Sequence, residues 1–245
     1  WTYTLVAADI TGMGQGGETL SATATDAAGN VSAVGTRNIT VDTLAPAAPL
    51  INSVAGDNMV NAAEQSTVIS GTTEANATIA LSIGGNTRTI TANASGNWSY
   101  ALVPGDIAGM GEGSETLSAT ATDAAGNVST AGTRNIAVDT LIPTATASIA
   151  AATADIAPNA GPVASGGSTN DNTLALSGTI TGILNVGEVV AVYDGATRLG
   201  TGVVSGSNWS FATASLGNAI HAFTVRVEDA AGNQGTPSAG YSVTV

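Results

Sequence analysis

The chain has 245 residues, of which 43% are hydrophobic and only 4% aromatic, and it contains no cysteine. This length suffices for about two domains, and the lack of Cys excludes disulfides, thiolate chemistry and Cys-based zinc sites. The 18 acidic residues outnumber 5 basic ones, a formal net charge of −13 that argues against nucleic acid as a partner and favours a cation. The sequence has no run of about 20 apolar residues, so we expect no membrane insertion of this segment.

One stretch of the sequence occurs twice, 97 residues apart. Residues 1–42 and 98–139 differ at 10 of 42 positions, which leaves 32 identical. Both copies contain the turn Asp-Ala-Ala-Gly-Asn, and a looser third copy repeats this turn at residues 229–233. A repeat of roughly 100 residues is too long for a solenoid and fits a β-sandwich domain.

Residues 43–139 alternate apolar residues with small or polar ones, between turns rich in Gly and Asn. A period of two indicates strands with one buried face. Seven strands are predicted, near 47–54, 66–73, 77–84, 86–93, 97–103, 115–123 and 132–138. This pattern predicts an all-β fold, an immunoglobulin-like β-sandwich without its disulfide. The segment "GDIAGMGEG" at residues 105–113 is expected to form one helical turn at most.

The same strand order divides the chain into three domains. Residues 1–42 supply the last three strands of a truncated repeat, 43–139 form a complete repeat, and 140–245 form a complete repeat of a divergent subtype with a longer first loop at 152–171. The chain thus begins within a repeat, and we expect it to be a piece of a longer protein. The first junction, "VDTLAP" at 41–46, and the second, "VDTLIP" at 138–143, are too short to act as flexible linkers. We expect the domains to be arranged end to end.

Several motifs resemble the tandem immunoglobulin-like repeats of giant biofilm-associated, type I-secreted bacterial surface adhesins. They are "TDAAGNVS", "VDTLAP", "NSVAGDN" with "NAAE", "GNWSY", and, in the divergent copy, "TNDNTLALSGTITG" with "VEDAAGNQG". The resemblance implies an extracellular stalk on the bacterial cell surface, stiffened by Ca²⁺, that supports cell adhesion and biofilm formation. The implied partners are neighbouring repeats of the same chain, with other adhesin molecules or host and abiotic surfaces contacted through regions outside this segment.

The strand order also suggests where Ca²⁺ would bind. In seven alternating strands, the turn between strands six and seven lies at the same end of the sandwich as the junction Asp that precedes the first strand. Two or three carboxylates with an Asn oxygen are ligands that Ca²⁺ prefers, and the few basic residues cannot neutralise them. The residues expected around Ca²⁺ are Asp42, Glu74, Asp123 and Asn127 at the first junction, and Asp139, Asp229 and Asn233 at the second, completed there by Asp57, Asn61 and Glu64. The alternative is a plain turn whose Asp caps local backbone N–H groups.

No catalytic constellation is apparent, and we expect no enzyme activity. The acidic residues recur in equivalent turns, whereas an active site normally occurs once. His221 has no Cys or second His with which to bind zinc, and Trp98 and Trp209 are expected in the cores rather than as sugar-stacking platforms. Two other functions stay open: a ligand-binding module for a carbohydrate or a host protein, for which the loop 152–171 is the only candidate surface, and an accessory domain of a secreted enzyme.

Overall fold

The structure, a computed structural model, describes residues 1–158 and 160–245; Asn159, within the long loop predicted at 152–171, lies outside the described residues. Strands make up 48% of it and helices 6%, which confirms the all-β prediction. In the part of the chain that is described, no helix is both long enough and apolar enough to cross a membrane.

Residues 1–42 contain two strands and a short helix rather than the three strands predicted. These elements are α1 (Ala7–Met13), β1 (Gly16–Ala22) and β2 (Gly35–Val41). The two strands pair antiparallel with Gly16 opposite Val41. Trp1, predicted to lie in the missing strand, is 99% exposed. Its counterpart Trp98 pairs with a strand at 68–72, and residues 1–42 contain no equivalent of that strand.

Residues 43–139 form a sandwich of eight strands and one helix. The elements are β3 (Leu50–Ile51), β4 (Met59–Asn61), β5 (Val68–Thr72), β6 (Thr78–Ile83), β7 (Asn86–Thr91), β8 (Asn97–Ala101), α2 (Pro104–Met110), β9 (Gly113–Thr122) and β10 (Gly132–Asp139). One sheet has the order β3-β5-β8 and the other β4-β10-β9-β6-β7. Burial alternates strictly along β6, where Ile79, Leu81 and Ile83 are fully buried. All seven predicted strands are present.

Trp98 is packed against the backbone of β5 at Gly71. A methyl group at Gly71 would lie 1.9 Å from the Leu50 carbonyl oxygen and 2.6 Å from Cζ2 of Trp98. Only Gly can therefore occupy this position without displacing the chain. Trp98 is 4% exposed and Trp209, its counterpart in the next repeat, is 2% exposed, which confirms that both belong to cores.

Two elements of this repeat differ from the sequence-based prediction. Helix α2 has seven residues, about two turns rather than one. Its glycines lower helix propensity, but Pro104 at the start has a helical φ and the Asp106 carboxylate accepts the Val103 N–H at 3.1 Å. Burial of Ile107 then favours the helix. The second difference is β4, a three-residue strand without a visible alternation, which pairs parallel to β10.

Residues 140–245 form two five-stranded sheets. The strands are β11 (Thr146–Ala154), β12 (Gly161–Val163), β13 (Gly167–Ser168), β14 (Ala175–Thr181), β15 (Val189–Asp194), β16 (Thr197–Thr201), β17 (Val203–Ser205), β18 (Asn208–Ala212), β19 (Ile220–Glu228) and β20 (Tyr241–Thr244). The sheet orders are β12-β11-β14-β18-β17 and β13-β20-β19-β15-β16. Their facing sides share one core that includes Leu176, Val190, Trp209, Phe223 and Val243.

Contacts divide the chain into two compact units. The first comprises Trp1–Ser53, Val68–Ala101 and Thr116–Asn135, and the second comprises Val54–Thr67, Leu102–Glu115 and Ile136–Val245. The loops at 54–67 and 102–115 therefore belong to the same unit as the last repeat. The first junction with its turn lies within the first unit, and the second junction with its turn lies within the second.

Candidate metal sites beside the repeated turns

The turn at 123–127 is closed by the side chain of its own first residue. Oδ1 of Asp123 accepts the backbone N–H groups of Ala125 at 2.9 Å and of Asn127 at 2.8 Å. Oδ2 accepts the side-chain amide of Asn127 at 2.8 Å, and this bond is the main cause that lowers the pKa of Asp123. Gly126 has φ of 94°, a conformation that favours glycine. The plain-turn role considered from the sequence is therefore present in the structure.

The same Asn side chain also contacts the first junction. Nδ2 of Asn127 lies 3.2 Å from the carbonyl oxygen of Asp42 and 3.5 Å from its Oδ1. Together with Oδ2 of Asp123, three oxygens from two acidic residues converge on one nitrogen. The structure thus brings Asp42, Asp123 and Asn127 together, as the strand order predicted.

The second junction repeats this arrangement with different residues. Nδ2 of Asn233 lies 2.8 Å from Oδ2 of Asp229, 2.8 Å from the carbonyl oxygen of Asp139 and 3.4 Å from its Oδ1. Oδ1 of Asp229 accepts the backbone N–H groups of Ala231 and Asn233 at 2.9 and 2.8 Å. Asn233 is only 2% exposed, so this cluster is better shielded from water than the first.

The oxygen atoms at each junction are ligands that suit a hard cation, but they are few in number. An amide NH₂ has two hydrogens, yet three oxygens face it at each junction, two of them from carboxylates. Ca²⁺ takes about 6–8 oxygens. Among the described residues, no group of three or more His, Cys, Asp or Glu side chains is arranged to hold a metal ion. Both Asn side chains donate hydrogen bonds here, and their role as ligands stays a prediction.

Two of the predicted ligands have exposed side chains, and their role in a metal site stays a prediction. One of them is Glu74. Asp57 is also exposed, and its Oδ1 accepts the N–H of Met59 in its own loop at 2.9 Å. Asn61 does reach the second turn, where its Nδ2 donates to the carbonyl of Ala231 at 3.1 Å. Glu64 accepts the N–H of Asn61 at 3.2 Å.

Sequence reasoning missed one residue beside each junction Asp. Oε2 of Glu112 accepts the backbone N–H of Thr140, the residue after Asp139, at 2.8 Å. Gln15 stands 97 positions earlier, and its Oε1 accepts the N–H of Thr43 at 3.0 Å. Both residues also bond the hydroxyl of their Thr. In both copies the Gln or Glu stands 28 residues before the Thr that it bonds, and this shared spacing was the only signal in the sequence for the contact.

His221 is packed rather than free. Its Nδ1 lies 2.6 Å from Oδ2 of Asp194 and its Nε2 lies 2.9 Å from the carbonyl oxygen of Gly217. The ring stacks on Phe223 with a centroid distance of 5.9 Å. The bond to Asp194 is the largest of the causes that raise the pKa of His221. These contacts agree with the structural role predicted for this residue.

Comparison with solved structures finds likenesses among large bacterial adhesins. One is a Ca²⁺-stabilized adhesin with which an Antarctic bacterium binds ice; it is 27% identical, with a TM-score of 0.43, over 93% of this chain and 56% of that one. A second is from a 1.5-MDa bacterial ice-binding adhesin, 24% identical with a TM-score of 0.43, over 100% of this chain and 80% of that one. An immunoglobulin-like domain of the M. primoryensis ice-binding adhesin is 30% identical over 38% of this chain and 97% of that domain, with a TM-score of 0.30.

The chain therefore spans little more than half the length of the first of these structures. No curated protein matches it. Its sequence matches the bacterial Ig-like domain family twice in tandem, over residues 52–140 and 146–245. These two ranges cover most of the chain and coincide with the two sandwiches of the fold. The protein belongs to the bacterial Ig-like domain family.

Proposed function

We propose that this chain is a structural stalk segment of a bacterial cell-surface adhesin, stiffened by Ca²⁺ bound at its two junctions. The observation that carries the proposal is the convergence of a junction Asp and a turn Asp on one Asn side-chain nitrogen, through the same atoms at both junctions. A chain of independent domains would not require this pairing. Such a segment would be extracellular and would support adhesion and biofilm formation by spacing other regions from the cell.

The residues that would hold Ca²⁺ are the acidic pair at each junction. Asp42 offers a carbonyl and a carboxylate oxygen, and Asp123 offers Oδ2; Asp139 and Asp229 offer the same atoms at the second junction. Bound Ca²⁺ would supply positive charge to oxygens that otherwise repel one another. Because one Asp of each pair precedes the sandwich and the other lies within it, joint binding would fix the direction in which the junction leaves the domain.

A structural role is also supported by what the cores contain. Two of the three Trp residues, Trp98 and Trp209, are buried and cannot stack on a sugar. The acidic turns recur in each repeat, as expected for a spacer and not for a single binding site. The domain division at 1–42, 43–139 and 140–245 is part of this proposal.

Calcium titration by calorimetry tests the proposed ligands. We expect two sites in the unmodified chain, the loss of one with Asp123→Ala, and the loss of the other with Asp229→Ala. Asp42→Asn and Asp139→Asn should weaken one site each, since Asn retains an acceptor oxygen but not the charge. Asp57→Asn and Glu74→Gln test the two predicted ligands for which no bond to the acidic pairs is present among the described residues. Unchanged stoichiometry and affinity in Asp123→Ala would remove the first site.

Small-angle scattering tests the mechanical consequence. At a free Ca²⁺ concentration of 100 times Kd, each site adds about 2.7 kcal/mol to the bound state, which holds an evenly poised hinge in one orientation about 99% of the time. We expect a longer maximum dimension with Ca²⁺ than with excess chelator, while the far-UV circular dichroism spectrum stays nearly constant. Identical scattering curves in the two conditions would contradict the stiffening role.

A further inference from the structure

A loop of the repeat at 43–139 bonds directly to the turn of the repeat that follows. Asn61 Nδ2 donates to the carbonyl of Ala231 at 3.1 Å, and the backbone N–H of Ala62 donates to Oδ1 of Asn233 at 2.6 Å. All of these residues belong to the second compact unit, and both donors are N–H groups, which cannot ligate a cation.

The position of this loop follows from strand pairing. The parallel register of β4 and β10 places Met59 opposite Ala137 and Asn61 opposite Asp139. Both strands therefore end at the same level, where the junction begins. The pairing of this three-residue strand with β10 holds Asn61 beside the junction Asp.

The loop is organised by its own bonds, as a helix start would be. Oδ1 of Asn61 accepts the N–H of Ala63 at 2.9 Å, and Oε2 of Glu64 accepts the N–H of Asn61 at 3.2 Å. These reciprocal bonds resemble a capping box. They leave the N–H of Ala62 and the Nδ2 group of Asn61 directed at the turn, and those are the two donors that contact it.

The contact engages both ends of the Asn233 amide. Oδ1 accepts from Ala62 while Nδ2 donates to Asp139 and Asp229, and the side chain is 2% exposed. Asn127, its counterpart at the first junction, bonds the acidic pair in the same way but remains partly exposed. Residues 1–42 contain no segment that corresponds to 61–64.

We propose that the loop Asn61–Glu64 is a docking surface for the Asp-Ala-Ala-Gly-Asn turn of a following repeat, and that this contact forms without calcium. Its partner is defined by chemistry: a turn that presents one backbone carbonyl and one Asn side-chain oxygen to two N–H donors. The inference rests on the proposed stalk role only for its purpose, since the contact consists of hydrogen bonds between protein groups. At this junction, calcium would add to an orientation that hydrogen bonds already favour.

Two variants remove the donors separately. Ala62→Pro deletes the backbone N–H at the position after the capping residue, where proline is well tolerated, and Ala62→Gly keeps the N–H as the matched control. Asn61→Ser retains a capping oxygen but loses the amide that reaches Ala231.

The measurement is amide NMR of the full chain in excess chelator. We expect Ala62→Pro to shift the backbone resonances of 229–233. We also expect hydrogen exchange of the Asn233 side-chain NH₂ to become about ten-fold faster, because the side chain loses the hydrogen bond that Ala62 donates to its Oδ1, and a ten-fold change corresponds to about 1.4 kcal/mol. Ala62→Gly should leave these resonances close to the unmodified chain. Asn61→Ser should shift Ala231 and its neighbours, which keeps the test valid if the Pro variant folds poorly.

Identical 229–233 resonances in Ala62→Pro and Ala62→Gly, together with an unaffected Ala231 in Asn61→Ser, would overturn the proposal. Differences that arise only after Ca²⁺ is added would overturn its calcium-independent part. Failure of the proposed function is a separate outcome, since it would be seen as absent calcium binding in the unmodified chain whatever these variants do.

Discussion

Replacing Asn233 by Asp should destabilise the fold in the absence of calcium, and calcium should relieve part of that loss. The substitution is nearly isosteric, and the new carboxylate can still accept the N–H of Ala62 through the oxygen that now lies 2.6 Å from it. The other end changes from an NH₂ donor into a third carboxylate oxygen beside Asp139 and Asp229. Without a cation this cluster should destabilise the fold, and with one it should bind more tightly.

The size of the calcium-free effect follows from the bonds that are lost. The Asn233 amide donates to the Asp229 carboxylate at 2.8 Å and to the Asp139 carbonyl at 2.8 Å. A hydrogen bond to a charged group contributes roughly 1.5–3 kcal/mol and a neutral one about 1, so the variant should lose about 3 kcal/mol. Repulsion between the new carboxylate and those of Asp139 and Asp229 adds to this loss of stability. It is limited to about 4 kcal/mol at pH 7, since a carboxyl with an ordinary pKa near 4 can instead take up a proton. For a domain of about 100 residues, we expect Tm to fall by roughly 12 °C or more.

Calorimetric unfolding of Asn233→Asp in excess chelator and at millimolar Ca²⁺ checks this prediction. A ten-fold lower Kd in the variant would return about 1.4 kcal/mol beyond the calcium effect in the unmodified chain. Asn30→Asp is the matched control, because Asn30 bonds Asp26 as its counterparts do, but among the described residues it makes no bond to a junction Asp. A destabilisation of Asn233→Asp that calcium does not relieve would refute the reasoning that this cluster is a cation site.

Two further predictions concern the cores. Trp209→Phe should cost about 1–2 kcal/mol more than Trp98→Phe, because Nε1 of Trp209 donates to the carbonyl of Ser148 at 2.9 Å, whereas Nε1 of Trp98 is buried without a partner among the described residues; equal costs in calorimetric unfolding would contradict this. His221 faces acceptors at both ring nitrogens, Asp194 above all, and its pKa is raised in the fold. Its stabilising effect should therefore be complete below about pH 6.5, the pKa in the unfolded chain, and be lost as pH rises through the raised folded value. A pH-independent difference in urea unfolding between His221→Ala and the unmodified chain would show that the ion pair contributes nothing.

The sequence carried most of the information on strands because burial repeats with a fixed period. Along β6, for example, alternation is strict, and a period of two is typical of a strand with one buried face and not of a helix. Helix α2 has no such pattern, and its glycines point away from a helix. What favours it is the burial of Ile107, which depends on tertiary packing and cannot be read from local propensity.

The candidate sites were also predictable from the sequence only in part. The repeated pairing of a junction Asp with a turn Asp was visible from spacing, and the structure brings Asp139 and Asp229 to the same amide. Glu74 and Asp57 were placed by the end of the sandwich at which their loops lie, which does not fix where side chains point. Asn61 was expected as a ligand, and its contact with the backbone of Ala231 arises from the register of β4 with β10, which no sequence pattern specified.

The two junctions should therefore differ in calcium affinity, and the difference has a direction. An Asn side chain can serve as a ligand only when its oxygen, not its NH₂ group, faces the cation. Asn233 is held in the opposite orientation by the N–H of Ala62, whereas Asn127 is partly exposed and no bond to its Oδ1 is present among the described residues. Calcium at the second junction must then either break that bond or bind without the Asn oxygen, so we expect the first site to be the tighter one. Titrations of Asp42→Asn and Asp139→Asn isolate the two sites, and Ala62→Pro should bring their affinities closer together by freeing Asn233. If the second site binds calcium as tightly as the first or more tightly, the bond between Asn233 and the N–H of Ala62 does not weaken calcium binding.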